Sequence, residues 1–388
     1  MKSKIALYIT SFGVQFFLTL AVSIVTVRYY APTVAVEMFY NLNVVTFLSL
    51  FISLGIPQAL IRYQYLPDIN KVTLNQMIGC FGIITTLLTI AVSFIITGQK
   101  SVLLVLILPF TISQYYLRSI ENFRKFIWLN LGRLLLILVG SLFVYFFNTK
   151  DDLYWYLVVG GSYGIGIIYY PKISSFTWDK ELFKELLKYS VPLQLYTFLL
   201  QGVFLLGQTV LNKFGIKTDF QEYVMTWRVI QIIQGVSALV FFFFPQFYFK
   251  NIEKNKATVL KYQKLIIIGL IGISLCLIAA KPLLDIVLKY NFSYVLLAIL
   301  LCAETLRLSA GILNTKYSYY MKNRYLLWML FFSIMVMLLF WAGIYFRYHL
   351  LTAINVSVGL LLCFFTYFIT TYVKLKTIGN NSLNKSLE

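Results

Sequence analysis

The sequence predicts an all-α integral membrane protein of about 12 transmembrane helices in two six-helix lobes, with the N- and C-termini cytoplasmic. Three observations carry this expectation. Apolar stretches of about 20 residues recur along the 388-residue chain, the composition is 60% hydrophobic and only 12% charged, and the basic residues concentrate in alternate loops. A soluble domain carries roughly 25% charged residues. A hydrocarbon core of roughly 30 Å is crossed by about 20 apolar residues at about 1.5 Å each.

In order, the first-half spans are expected at Ile5–Val27, Met38–Leu60, Asn75–Thr97, Val102–Leu117, Ile127–Phe147 and Leu153–Tyr170. The second half follows at Tyr189–Asn212, Glu222–Tyr248, Tyr262–Ala280, Tyr294–Thr315, Tyr325–Phe346 and Leu350–Val373. The first span follows Lys2 and Lys4 as a signal peptide would. Its apolar run is too long for that and shows no small-residue cleavage site, so it is read as retained. The fourth is the least regular, interrupted by Pro109 and ending on Ser113 and Gln114.

Orientation follows from where Lys and Arg fall. With the N-terminus inside, 22 of the 33 basic residues lie on inner segments, counting Lys264 at the inner end of the ninth span, and 8 on outer ones; Arg133, Arg228 and Arg307 lie deeper within spans. The domains are then an N-terminal lobe over 1–172, a linker over 173–188, a C-terminal lobe over 189–373 and a cytoplasmic tail over 374–388. In the linker, Leu182, Phe183, Leu186 and Leu187 recur at three- and four-residue spacing among charges. That pattern predicts a short amphipathic helix on the inner surface. Two six-span halves entering from the same side would be parallel repeats. Spans two and eight echo each other, opening on Glu37 and Glu222 and ending at Pro57 and Pro245.

The formal charge of +19 does not call for a nucleic-acid partner, because the basic residues sit between spans. Lys250, Lys254, Lys256, Lys261 and Lys264 read as an orienting loop beside anionic membrane lipids. Cys80, Cys276, Cys302 and Cys363 lie in spans without paired spacing, so no metal site or disulfide framework is expected. The single histidine, His349, sits at a span boundary. Gly160, Gly161, Gly164 and Gly166 lack the Lys and Ser or Thr of a phosphate loop and read as helix-packing residues. No loop has room for an ATPase or a sizeable catalytic domain. The chain is therefore expected to be no enzyme and to need no cofactor, with an H+ or Na+ gradient as the candidate energy source.

Two stretches carry a family resemblance. The first is Val27-Arg28-Tyr29-Tyr30-Ala31-Pro32, then Phe39-Tyr40, and Phe51 through Gly55-Ile56-Pro57-Gln58 to Arg62. The second runs from Leu186-Leu187-Lys188-Tyr189-Ser190-Val191-Pro192 through Tyr223 to Pro245. Here the chain resembles the polysaccharide flippases, the O-antigen and capsule repeat-unit translocases, of the multidrug/oligosaccharidyl-lipid/polysaccharide exporter (MOP) superfamily. The resemblance implies a MATE-like fold, two lobes forming a V around a central cavity, and helices one, two, seven and eight near the lobe interface. It also implies a substrate, an undecaprenyl-pyrophosphate-linked oligosaccharide moved from the inner to the outer leaflet of the bacterial plasma membrane. A polysaccharide polymerase and a chain-length regulator are the implied partners.

Residues inside the spans bear on that substrate, because an ionisable group in the membrane is costly and usually faces a cavity or a partner. Away from the span boundaries, three arginines, Arg133, Arg228 and Arg307, stand against Glu304, a balance that suits an anionic headgroup, and arginine grips phosphate oxygens bidentately. Arg28 and Arg62 mark the outer and inner ends of the first two spans and complete the headgroup candidates. Each has a structural alternative: snorkelling for Arg133 and Arg228, mutual neutralisation for Glu304 and Arg307 three residues apart, and interface anchoring for Arg28 and Arg62. Glu304 is also the candidate coupling residue. Gln15, Asn41, Asn43, Gln194, Gln201, Gln208, Gln231 and Gln234 are candidates to hydrogen-bond sugar hydroxyls, and Tyr40, Tyr196 and Trp227 to stack on sugar faces. Interhelical packing and hydrogen bonding compete for every one of them. The functional expectation is a flippase working by alternating access. A multidrug or small-molecule antiporter of the same fold, or a polytopic glycan polymerase, is the alternative.

Overall fold

The computed structural model describes residues 14, 18, 21–22, 24–26, 29–30 and 32–384, apart from 65–67, 121, 148–150, 174–177, 252–255, 289, 292 and 320–322. Nearly every described residue in a regular element is helical. Among the described residues, nine helices are long and apolar enough to cross a membrane, and the chain is a multi-pass membrane protein. The expected first span lies mostly outside the described residues. By contact the chain divides into two compact units, Met1–Gln201 and Gly202–Glu388.

In the first unit, α1 (Pro32–Ile52) and α2 (Ile56–Tyr63) replace the single span expected over Met38–Leu60. The break is a turn in which Leu54 and Gly55 both take positive φ, 50° and 69°. Pro57 is the second residue of α2, where its missing N–H has no intrahelical acceptor to lose. α3 (Lys71–Thr97) is opened by Asn70, whose side chain accepts from Val72 N at 3.0 Å and Thr73 N at 3.3 Å, satisfying donors that a helix start leaves over. It closes at Gly98, φ 82°.

The irregular fourth span divides into a 3₁₀ stretch (Lys100–Leu106) and α4 (Ile107–Ser119). Pro109 is the third residue of α4, beside the change from 3₁₀ to α geometry, and the helix runs on through it. α5 (Phe123–Phe146) and α6 (Asp152–Tyr163) follow, then a second 3₁₀ stretch (Gly164–Tyr169). Ile56, Leu60, Leu74, Met77, Ile78, Leu108 and Ile112 form one buried cluster with Leu182 and Leu186 of α7 (Lys180–Phe214). The outward faces are equally apolar, with Ile95 81% and Phe146 77% exposed, as lipid contact requires.

Small residues bring these helices together. A Cβ on Gly160 would collide with the Leu103 carbonyl oxygen, and one on Gly166 would lie 2.5 Å from Phe110 Cα. Gly161 faces open space and Gly164 meets only Leu106 Cδ1 at 3.7 Å. Only two of the four clustered glycines are therefore tight packing positions.

The charged stretch expected as a separate linker helix is the start of α7, which continues without interruption to Phe214. Apolar residues keep helical spacing on both sides of Lys188, so nothing in the backbone terminates the helix there.

The second unit holds the remainder of α7, then α8 (Lys217–Asn251), α9 (Lys256–Ala279), α10 (Lys281–Leu288), α11 (Tyr294–Tyr319), α12 (Asn323–Tyr348) and α13 (Ala353–Asn384). α8 runs past position 245 and does not end there, so the second proline of the expected echo is not a terminus. Two carboxylates near the start of α8 cap other helices. Asp219 Oδ2 accepts from Ala353 N at 2.9 Å, at the start of α13. Glu222 Oε1 accepts from Ser293 N at 3.0 Å, just before α11. α11 lies along α13, where Asn314 Nδ2 donates to the Tyr367 hydroxyl at 2.7 Å. At Gly359 the indole of Trp341 fills the space a side chain would need.

Candidate functional site

In the second unit two of the candidates, Trp227 and Arg307, meet at one ring. Phe204, on α7, stacks against Trp227 of α8 at 4.0 Å between centroids and against Phe364 of α13 at 5.1 Å. The Arg307 guanidinium lies 5.6 Å over the same ring, near enough for a cation–π attraction. Arg307 is held there from its own helix: Nε donates to Glu304 Oε2 at 2.7 Å and Nη2 to Oε1 at 2.6 Å. Glu304 is fully buried and the Arg307 side chain 15% exposed. Both oxygens of the buried carboxylate are thus met by one bidentate cation.

Arg228, next to Trp227, donates Nη1 to Gln231 Oε1 at 2.7 Å. Gln208 lies one turn beyond Phe204 and is buried, so it shares that face of α7. Gln234 is half-buried and its carbonyl accepts from the Ser237 hydroxyl at 2.9 Å.

In the first unit, the Arg133 guanidinium lies 4.8 Å from the Tyr163 ring and 5.4 Å from the Phe110 ring. Phe110 belongs to a buried cluster with Leu117, Phe126 and Leu129, against which Tyr163, Ile165 and Tyr169 pack. No carboxylate pairs with Arg133 among the described residues, and its Nε is buried without a hydrogen-bond partner. One turn away, Gln114 Nε2 donates to Asn130 Oδ1 at 2.6 Å, and Asn130 Nδ2 donates to the Phe126 carbonyl at 2.8 Å. The two aromatic faces supply partial compensation for the cation and leave its donors for an anion.

The other candidates of this unit are dispersed. Asn41 donates to the Tyr156 hydroxyl at 2.9 Å, and Gln194 donates to the Leu50 carbonyl beside the Leu54–Gly55 turn. Tyr40, Asn43 and Tyr196 are half-buried and Gln201 is exposed. Gln15 and Arg28 lie outside the described residues, as does the side chain of Arg62.

Lys281 is a residue that sequence reasoning passes over. Assigned to an outer loop, it is 5% exposed, pairs with Asp285, donates to Asn291 Oδ1 at 3.2 Å and sits 4.5 Å from the Tyr294 ring. The available signal is the i, i+4 Lys–Asp spacing in α10. Among the described residues no group of His, Cys, Asp and Glu is arranged to hold a metal, and all four cysteines are free thiols.

No protein-family model matches the chain, and no curated protein matches it in sequence. Solved structures match over nearly its whole length. An inward-facing multidrug resistance MATE family transporter of the MOP superfamily superposes with a TM-score of 0.71 at 14% identity, covering 95% of this chain and 96% of that one. An outward-facing structure of such a transporter gives 0.66 at 14% identity, with 97% and 94% covered. A MOP superfamily transporter from Pyrococcus furiosus, described as having a binding pocket of reverse polarity that suggests a different function, gives 0.65 at 15% identity, with 95% and 92% covered. The fold is that of the MATE-type MOP transporters.

Proposed function

We propose, from this transporter fold, that the protein is a flippase for lipid-linked oligosaccharides. It moves undecaprenyl-pyrophosphate-linked repeat units across the bacterial plasma membrane by alternating access, for O-antigen, capsule or another surface polysaccharide. The observation that carries the reading is Arg133, a cation in the first unit with ring faces around it and no carboxylate paired to it among the described residues. Glu304 is already matched by Arg307. A positive interior attracts a pyrophosphate and repels an organic cation. Arg133 and Arg228 are the headgroup contacts of this reading. Gln208, Gln231 and Trp227 are its sugar contacts, while a polymerase and a chain-length regulator are the downstream partners.

A second reading, export of drugs or other small molecules by antiport, is supported by the multidrug resistance transporters that share the fold. The two differ in the sign of the cargo. Leaflet-resolved detection of the lipid-linked oligosaccharide, in cells with and without the protein, separates them. The flippase reading expects the intermediate to accumulate on the cytoplasmic side when the protein is absent, and delivery to fall at least tenfold in Arg133→Gln/Arg228→Gln at unchanged protein level. Normal outer-leaflet delivery together with drug hypersensitivity would establish the second reading in its place.

A further inference from the structure

Many buried hydroxyls in these spans donate to the carbonyl one turn back, as Ser49 does to Val45 at 2.8 Å, Thr89 to Thr85 at 2.7 Å and Ser274 to Leu270 at 3.0 Å. This is the usual resting place of a helical Ser or Thr side chain. Ser141 of α5 is 8% exposed, and its Oγ has no hydrogen-bond partner. It lies one residue after Gly140, where a Cβ would come within 2.6 Å of Val158 Cγ1 on α6.

The cavity that Ser141 lines is shared with Tyr29, Tyr30, Thr26 and Trp155. The phenol oxygens of Tyr29 and Tyr30 are also buried with no partner. Thr26 is already committed, donating to the Val22 carbonyl at 2.9 Å and accepting from Trp155 Nε1 at 3.2 Å. Three uncommitted hydroxyls, two preceding α1 and one from α5, therefore border one space. Each donates one hydrogen bond and accepts up to two, and leaving all three unmade is unfavourable. Burial, with smaller contributions from Tyr29, Asp152 and Asp151, pushes the Tyr30 phenol up to about 12, so it keeps its proton and remains a donor at neutral pH. The space has room for about one water, too little for a sugar ring or a phosphate, and a buried water needs two to four polar partners.

We infer that Tyr29, Tyr30 and Ser141 bind a single ordered water that ties the residues preceding α1 to α5.

The test is thermal unfolding of the detergent-solubilised full chain carrying Tyr30→Phe, Ser141→Ala or both. Each single change is expected to lower Tm by about 2 °C, and the pair by less than the sum, because the first deletion already removes an anchor of the shared water. A rise in Tm from either single change would mean that an orphan hydroxyl had been relieved, and additive losses would mean no shared ligand; either overturns the inference. Radiolytic hydroxyl labelling in isotopic water reads the site directly. Tyr30 is expected to be modified despite its burial in the unaltered chain and protected in Ser141→Ala, and an unlabelled Tyr30 in the unaltered chain counts against it. Replacing NaCl with choline chloride is expected to leave Tm unchanged. Stabilisation specific to Na+ that disappears in Tyr30→Phe would assign the space to a cation instead.

Discussion

Arg307 and Glu304 form a closed pair: both carboxylate oxygens of Glu304 accept from the one guanidinium, at 2.6 and 2.7 Å, three residues apart on α11. With Glu304 fully buried, removing either partner leaves the other's hydrogen bonds unmade. Arg307→Ala and Glu304→Ala are each expected to lower the unfolding free energy by about 3 kcal/mol. The double change Glu304→Gln/Arg307→Met should cost clearly less than either. Denaturant unfolding of the four variants measures the difference; a double variant as unstable as the sum of the two would show that the pair is not the unit that matters.

Gly160 and Gly161 are adjacent and should respond oppositely to the same substitution. Gly160→Ala drives a methyl into the Leu103 carbonyl, which belongs to a backbone and cannot rotate away, and is expected to cost about 2 kcal/mol. Gly161→Ala adds a methyl to open space and should be neutral or stabilising by up to about 1 kcal/mol through helix propensity. Melting temperatures of the two variants, prepared side by side, decide it.

The turn between α1 and α2 stores strain in Leu54, which takes a left-handed conformation without being glycine. Leu54→Gly is expected to raise stability by about 1 kcal/mol. Gly55→Ala should do the reverse, since its φ is also positive and a Cβ would lie 2.9 Å from Gln194 Cβ and from the Ser190 carbonyl. A Leu54→Gly variant less stable than the parent would show that its side chain contributes more than its backbone costs.

Asp151 caps α6, accepting from Leu153 N at 2.9 Å, with Lys100 at 3.9 Å. The backbone hydrogen bond from Leu153, with help from Asp152 and Lys100, holds its carboxyl below the usual carboxylate range. Its contribution is then complete above the ordinary aspartate value and disappears as pH falls through the lowered folded value. Asp151→Asn keeps a capping oxygen and removes the titration. Its melting temperature is expected to fall less than the parent's on acidification below about pH 4; parallel curves would exclude Asp151 as a contributor.

Much of the architecture is legible in the sequence because a lipid environment forces every backbone group into an internal hydrogen bond, so the length of an apolar run maps onto the length of a helix. Asn75–Thr97 and Tyr294–Thr315 therefore fall close to α3 and α11. Apolarity does not distinguish a helix from the turn inside it, however. The run from Met38 to Leu60 passes through Ser53–Gly55 without a change of composition, and Leu54 carries no mark of its left-handed backbone. Pro109 reads as an interruption, whereas the helix runs on through it beside a change from 3₁₀ to α geometry. The same holds for the site. Glu304 and Arg307 are visible as a pair from their spacing, since helix geometry fixes i and i+3. That Phe110 and Tyr163 lie against Arg133 depends on how three consecutive helices pack, and nothing local to any of them announces it. Tyr29, Tyr30 and Ser141 read as ordinary membrane residues until their neighbours are known.

The rings around Arg133 have one further consequence. A cation neutralised by a carboxylate contributes little net charge. A guanidinium against aromatic faces has no counter-charge to cancel its own. It is therefore exposed to membrane voltage, worth roughly 2.3 kcal/mol per charge for a full crossing at 100 mV. Any motion that carries Arg133 through part of that field makes the conformational equilibrium of the first unit respond to voltage, with the resting potential, negative inside, favouring whichever state places this residue nearer the cytoplasm.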